Sequence, residues 1–191
     1  MKGAIIFDLF NTLIYNKVKR DPYTHLFSKL SMSKTEISKW IDILITNNYD
    51  DIEQFYKHIN VKADIDFSEL NRMLDDELYN TVLFDDTLSS LQALSGQYKL
   101  FCLSNIATTY KKPYFDLGLN KYIEQVFFSC DLGYRKPSKE IFDVVIDYIG
   151  MDKSQIIMIG DSYSSDFLGA TNAGIRPILK DRKLSEIIRE L

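Results

Sequence analysis

The sequence lacks most of the features that assign a function by composition. It has two cysteines and two histidines in 191 residues. Cys102 and Cys130 stand in apolar, strand-like surroundings, far from any metal-ligand spacing. They are expected to be buried thiols rather than a disulfide, a redox pair or a zinc site. No apolar run approaches the roughly eighteen residues that a membrane span requires. Asp8 interrupts the amino-terminal run before it reaches the roughly seven to fifteen residues of a signal peptide's apolar region. Positive charge is not in excess either. The formal net charge is −4, and Lys and Arg are scattered apart from a short cluster at 180–183, so there is no basic field to attract nucleic acid. Internal repeats and low-complexity segments are missing. A cytoplasmic protein is expected, with no nucleic-acid or membrane partner.

What is present suits a globular chain. Hydrophobic residues make up 46% and charged residues 26% of the sequence, enough for one well-buried core and a modest extra domain. The run Ala4-Ile5-Ile6-Phe7 is a strand buried on both faces, and it ends on Asp8. After Leu13 the period becomes helical for about seventy residues. Ser33 and Glu36 form a capping box ahead of a stripe of Ile37, Trp40, Ile41, Leu44 and Ile45. Weaker helical patterns cover Tyr23–Leu30, Ile52–Ile59 and Phe67–Val82. From about Leu83 strands and helices alternate. Helices are expected over Asp85–Leu94, with Leu88, Leu91 and Leu94 inward, and over Tyr110–Leu119. Strands are expected over Tyr98–Leu103, Val126–Cys130, Ile156–Ile159 and Ile175–Leu179, the last at an edge because of Pro177. Pro137 suits the first position of a helix, which puts Lys136 at its mouth. The alternation predicts an α/β fold with a Rossmann-like parallel sheet. Residues 1–15 and 83–191 form this core, and 16–82 an inserted α-helical cap domain.

Open α/β sheets place ligands just outside the carboxyl ends of their strands. Four such positions carry polar groups: Asp8 with Thr12, Ser104 with Asn105, Lys136, and Gly160-Asp161 with Asp166. Together, Phe7-Asp8-Leu9-Phe10-Asn11-Thr12-Leu13, Leu103-Ser104-Asn105, Arg135-Lys136-Pro137 and Gly160-Asp161-Ser162 with Asp166 resemble the four motifs of the haloacid dehalogenase superfamily. The match is to members with a helical cap after the first motif. The resemblance implies a hydrolase in which Asp8 is the nucleophile, usually toward phosphorus. Lys136 would supply a fixed positive charge, with Thr12, Ser104 and Asn105 around the substrate. Mg²⁺ would be held by Asp8, the Phe10 carbonyl and Asp161, with Asp166 in or beside the metal's coordination. Three carboxylates that close repel one another unless a cation joins them.

Phe10 departs from the pattern. The family's phosphatases usually carry a second Asp there to protonate the leaving oxygen, and phenylalanine cannot. Aryl or acyl phosphates, whose leaving groups are stable as anions, are therefore favoured over sugar phosphates. An aromatic residue here also resembles the family's 2-haloacid dehalogenases, which makes carbon–halogen hydrolysis an alternative reading. Gly160-Asp161 is the metal-binding form of the fourth motif and argues against it. A third reading is a low-activity binding or interaction protein that keeps the fold. His25 and His58 are expected to be surface or interhelical residues, the pairs Asp50-Asp51 and Asp75-Asp76 to be solvated helix surface, and Trp40 to be core. Arg20 is a candidate for contact with a substrate anion.

Overall fold

The computed structural model describes residues Met1–Leu191. Strand β1, Gly3–Phe7, is followed by the short strand β2, Ile14–Asn16. Four helices come next: α1, Pro22–Lys29; α2, Lys34–Ile45; α3, Ile52–Ile59; and α4, Phe67–Tyr79. Strand β3, Thr81–Leu83, leads into α5, Thr87–Ser95, and β4, Tyr98–Ser104. The rest of the chain runs through α6, Lys112–Asp116; β5, Gln125–Phe128; α7, Ser129–Leu132; and α8, Lys139–Ile149. It ends with β6, Ile156–Gly160; α9, Leu168–Ala173; β7, Arg176–Leu179; and α10, Leu184–Ile187.

The main sheet has the order β5-β4-β1-β6-β7, and every pair in it is parallel. Its central strands feed two cores by alternation. Ile5 and Phe7 of β1, Leu100 and Cys102 of β4, and Ile157 and Ile159 of β6 pack on one face with Leu91, Leu94, Tyr114, Leu184 and Ile187. Ala4, Ile6, Phe101, Leu103, Ile156 and Met158 pack on the other against Phe142, Val145, Ile146 and Ile149 of α8. This is the α/β parallel sheet expected from the alternation, with Pro177 on the edge strand β7, where a missing N–H costs no ladder bond.

The helices over residues 22–79 make a third core around Leu26, Phe27, Ile52, Phe55, Leu70 and Leu74. The Ser33 side chain accepts from Glu36 N while Glu36 returns to Ser33 N, so the capping box opens α2 as its sequence predicts. The stripe on α2 is shallower than its period suggests: only Leu44 is buried, and Ile41 is exposed.

Several boundaries differ from the sequence reading. The chain leaving β1 and the chain returning from α4 pair as an antiparallel ribbon, β2 with β3, where an unbroken helical pattern was expected. Short β-branched stretches such as Thr81-Val82 take the strand when a partner lies alongside. Leu88 on α5 faces outward. Tyr110–Leu119 is not one helix but short turns around α6, with Pro113 in its first turn and Gly118 left-handed after it. Cys130 lies in α7 rather than in a strand, although both thiols are free and buried as expected. Pro137 does not open a helix. It follows Lys136 through a cis peptide bond, and α8 begins at Lys139 with Ser138 as its cap. Asp166 lies in a π-helical turn, Tyr163–Phe167, ahead of α9.

Candidate active site

Three adjacent strands, β4, β1 and β6, end side by side, and the residues after them converge. Asp8 follows β1, Ser104 closes β4, and Asp161 follows Gly160, the last residue of β6. The Asp8 amide donates to the Ile159 carbonyl at 2.9 Å, which holds the turn against its neighbour strand. Lys136 reaches in from the loop before α8. Its Nζ donates to Asp8 Oδ1 and to the Leu103 carbonyl, each at 2.7 Å. It also lies 2.7 Å from Asp166 Oδ1, as an ion pair rather than a directed hydrogen bond. The other Asp166 oxygen accepts from Ser162 N at 3.0 Å.

Asp8, Asp161 and Asp166 each bring a carboxylate oxygen within 4.8 Å of the others. Burial pushes the Asp8 carboxyl up to about 6; Lys136 opposes the shift and Asp166 adds to it. Asp161 is also raised, by desolvation and by Asp166. Burial works against the charge on Lys136, but Asp8 and Asp166 outweigh it and raise the lysine above its ordinary value. One ammonium thus stands against three carboxylates. That is two positive charges too few, and hard oxygen donors so disposed fit a divalent cation such as Mg²⁺.

Two of the expected substrate contacts sit otherwise. Thr12 is fully buried, and its hydroxyl donates to Asp8 Oδ2 at 3.3 Å, so it holds that side chain rather than facing the cavity. Asn105 borders the cavity, but both ends of its amide are occupied. Oδ1 accepts from Lys136 N and Nδ2 donates to Lys136 O, each at 2.8 Å. Asn105 therefore clamps the lysine's backbone. Ser104 lines the cavity as expected. Phe10 lines it too, half-buried, with its ring edge-on to Tyr110 at 6.0 Å.

The cavity over these groups holds about 340 Å³, within the usual range for small-molecule sites. Its far wall comes from Tyr23, Leu44, Ile45, Ile106 and Tyr110, which the sequence reading did not single out as site residues. Asn16, on β2, also borders it. Behind it Glu77 is buried and accepts from Asn16 Nδ2 at 2.7 Å, from the amides of Arg20 and Asp21 at 2.8 Å each, and from the Tyr110 hydroxyl at 3.4 Å. Arg20 is not brought to the cavity; its guanidinium pairs with Asp76 at 2.5 Å. His58 stacks edge-on with Trp40 and Tyr49, His25 lies near Glu69, and neither borders the cavity.

The family model described as haloacid dehalogenase-like hydrolase matches residues 5–180. The chain belongs to this family. Among relatives of the haloacid dehalogenase-like hydrolase, glyceraldehyde 3-phosphate phosphatase of Methanothermobacter thermautotrophicus is 28% identical over 210 aligned positions, covering 100% of this chain and 90% of that one. A HAD phosphatase from Thermococcus onnurineus shares the fold with a TM-score of 0.66 at 24% identity, over 98% of this chain and 97% of that one. The putative HAD-hydrolase YfnB from Bacillus subtilis, solved bound to magnesium, gives a TM-score of 0.67 at 19% identity, over 99% and 98%. These two structures bear on the fold alone. No helix is long and apolar enough to cross a membrane.

Proposed function

We propose that this hydrolase is a Mg²⁺-dependent phosphatase of small molecules that works through an aspartyl-phosphate on Asp8. The observation that carries the reading is the cluster of Asp8, Asp161 and Asp166 around the single ammonium of Lys136. Asp8, Asp161 and the Phe10 carbonyl would hold the metal, with Asp166 beside them. When bound, Mg²⁺ supplies the missing positive charge and offsets negative charge on the transferring phosphoryl group. Asp8 attacks phosphorus, the ester P–O bond breaks, and the departing oxygen takes its proton from solvent. Water then cleaves the acyl phosphate, releasing inorganic phosphate and restoring the carboxylate. Thr12 and Lys136 fix the direction of Asp8, Asn105 fixes Lys136, and Ser104 meets the phosphoryl oxygens. The segment 16–82 serves as a cap over this floor, in keeping with a cytoplasmic enzyme of metabolites.

With Phe10 where a proton donor would stand, leaving groups stable as anions are favoured. General acid catalysis typically contributes about a hundred- to ten-thousand-fold. Mg²⁺-dependent release of phosphate from aryl and acyl phosphates is therefore expected to exceed release from sugar phosphates by a comparable factor. Steady-state rates on a substrate panel, with and without a chelator, test this. Equal release of halide from 2-chloropropionate in the chelator would overturn it in favour of the dehalogenase reading. The third carboxylate, Asp161, speaks against that alternative, since it would repel a carboxylate substrate. A low-activity binding role has less support, because it would not require Asp8, Lys136 and Asp161 together.

A further inference from the structure

The cavity that Asp8 lines has an apolar wall beside its charged groups. We propose that this wall selects an uncharged, flat, apolar leaving group and rejects one carrying a second anion, and that Phe10, Ile45 and Tyr110 impose the choice. The inference rests on the phosphatase reading and deepens it.

The first support is the chemistry of the surface. Phe10, Tyr23, Leu44, Ile45, Ile106 and Tyr110 form the wall. Phe10 meets Tyr110 edge to face at 6.0 Å, and Tyr23 leans on Tyr110 at 6.3 Å. Both tyrosine hydroxyls are engaged, Tyr23 with Thr109 at 3.0 Å and Tyr110 with Glu77 at 3.4 Å. What the rings offer the cavity is carbon, and aromatic groups stack on such surfaces at favourable edge or offset angles.

The second support is the placement of charge. Lys136 is the one cation bordering the cavity, and Asp8, Asp166 and the Leu103 carbonyl surround its ammonium. Of the three cations next in sequence to a cavity residue, Lys17, after Asn16, does not border the cavity, and the other two are paired elsewhere. Lys111, after Tyr110, pairs with Asp131 at 2.6 Å, and Arg135, before Lys136, pairs with Asp42 at 2.7 Å. A second anion on the leaving group would enter an apolar wall with no counter-charge left for it, since Lys136 and a bound Mg²⁺ are taken up by the three carboxylates and the phosphoryl group.

Two esters of nearly equal size test the proposal: 4-carbamoylphenyl phosphate and 4-carboxyphenyl phosphate, which differ in one charge. With the full chain and Mg²⁺, KM for the carboxylate ester is expected to be at least about tenfold higher, as befits a buried unpaired charge. In Ile45→Lys, which puts a cation on the wall, that ratio should narrow. In Tyr110→Leu, which keeps bulk but removes the ring, the preference for phenyl phosphate over acetyl phosphate should fall about tenfold. Equal KM values in the wild type overturn the proposal, as does an unchanged ratio in folded Ile45→Lys. If Ile45→Lys does not fold, the wild-type pair decides. Turnover of acetyl phosphate with neither aryl ester accepted sinks the inference and leaves the phosphatase reading intact. Should neither the aryl esters nor acetyl phosphate release phosphate, the phosphatase reading fails, and calorimetric titration of the two esters decides whether the wall discriminates as proposed. Tighter binding of the amide by at least about tenfold upholds it, and equal or absent binding overturns it.

Discussion

At the scale of single residues, the site depends on one missing side chain as much as on those present. A Cβ on Gly160 would stand 2.2 Å from Asp166 Oδ2 and 2.7 Å from Asp166 Cβ, far inside contact distance. Asp166 would have to withdraw and take its charge from Lys136. Gly160→Ala is therefore expected to cost about 1–3 kcal/mol in urea unfolding, the usual range for overpacking. Its turnover should fall at least about tenfold in the same preparation. Phe10 is the opposite case, a side chain too many. Phe10→Asp is expected to narrow the gap between alkyl and aryl phosphates by at least about a hundredfold, since it restores a proton donor beside Asp8. Steady-state kinetics on phenyl phosphate and a sugar phosphate read this out. No narrowing in a folded variant would mean that protonation of the leaving group is not what the site lacks.

At the scale of elements, the join where α4 runs into the ribbon is polar where the stripe before it is apolar. Leu70, Leu74 and Glu77 lie at positions i, i+4 and i+7 of α4, and all three are buried. The carboxylate thus occupies a core-facing position, where it gathers the amides of Arg20 and Asp21, the Asn16 amide and the Tyr110 hydroxyl. Glu77→Ala would leave these donors without their acceptor. A loss of about 3–5 kcal/mol in chemical denaturation is expected, the scale of stranding partners of a buried charge. Glu77→Gln, which keeps one acceptor oxygen, should lose roughly half as much. This join was open to inference from the sequence, because a lone acid on an otherwise apolar stripe is a signal in itself. The ribbon of β2 and β3 was not. Three-residue strands carry too few side chains to establish a period, and each exists only because the other lies beside it.

At the scale of the whole molecule, the sheet was legible because its strands are long apolar runs, and their alternation between two cores follows from period two alone. Asp8, Ser104, Lys136, Asp161 and Asp166 were legible because a parallel sheet brings strand ends to one edge. Two assignments shifted for a shared reason. Spacing tells which residues meet, but not which of their atoms are already occupied, and Thr12 and Asn105 direct theirs to Asp8 and Lys136. The cavity wall was hidden for a different reason. Leu44 and Ile45 come from α2, while Ile106 and Tyr110 come from the turns after β4, and no local pattern records that these segments face each other.

The position of β1 in the centre of the sheet also sets an order of events. Asp8 is made early, but the ammonium that meets it lies 128 residues further along, and β6, which flanks β1, comes later still. The four helices between can close on near neighbours as soon as they are synthesised, whereas the central strand waits for partners at long range. Folding on the ribosome should therefore run inside out with respect to function. The helices over residues 22–79 come first, and the carboxylate proposed as nucleophile stays without its ammonium until most of the chain has emerged.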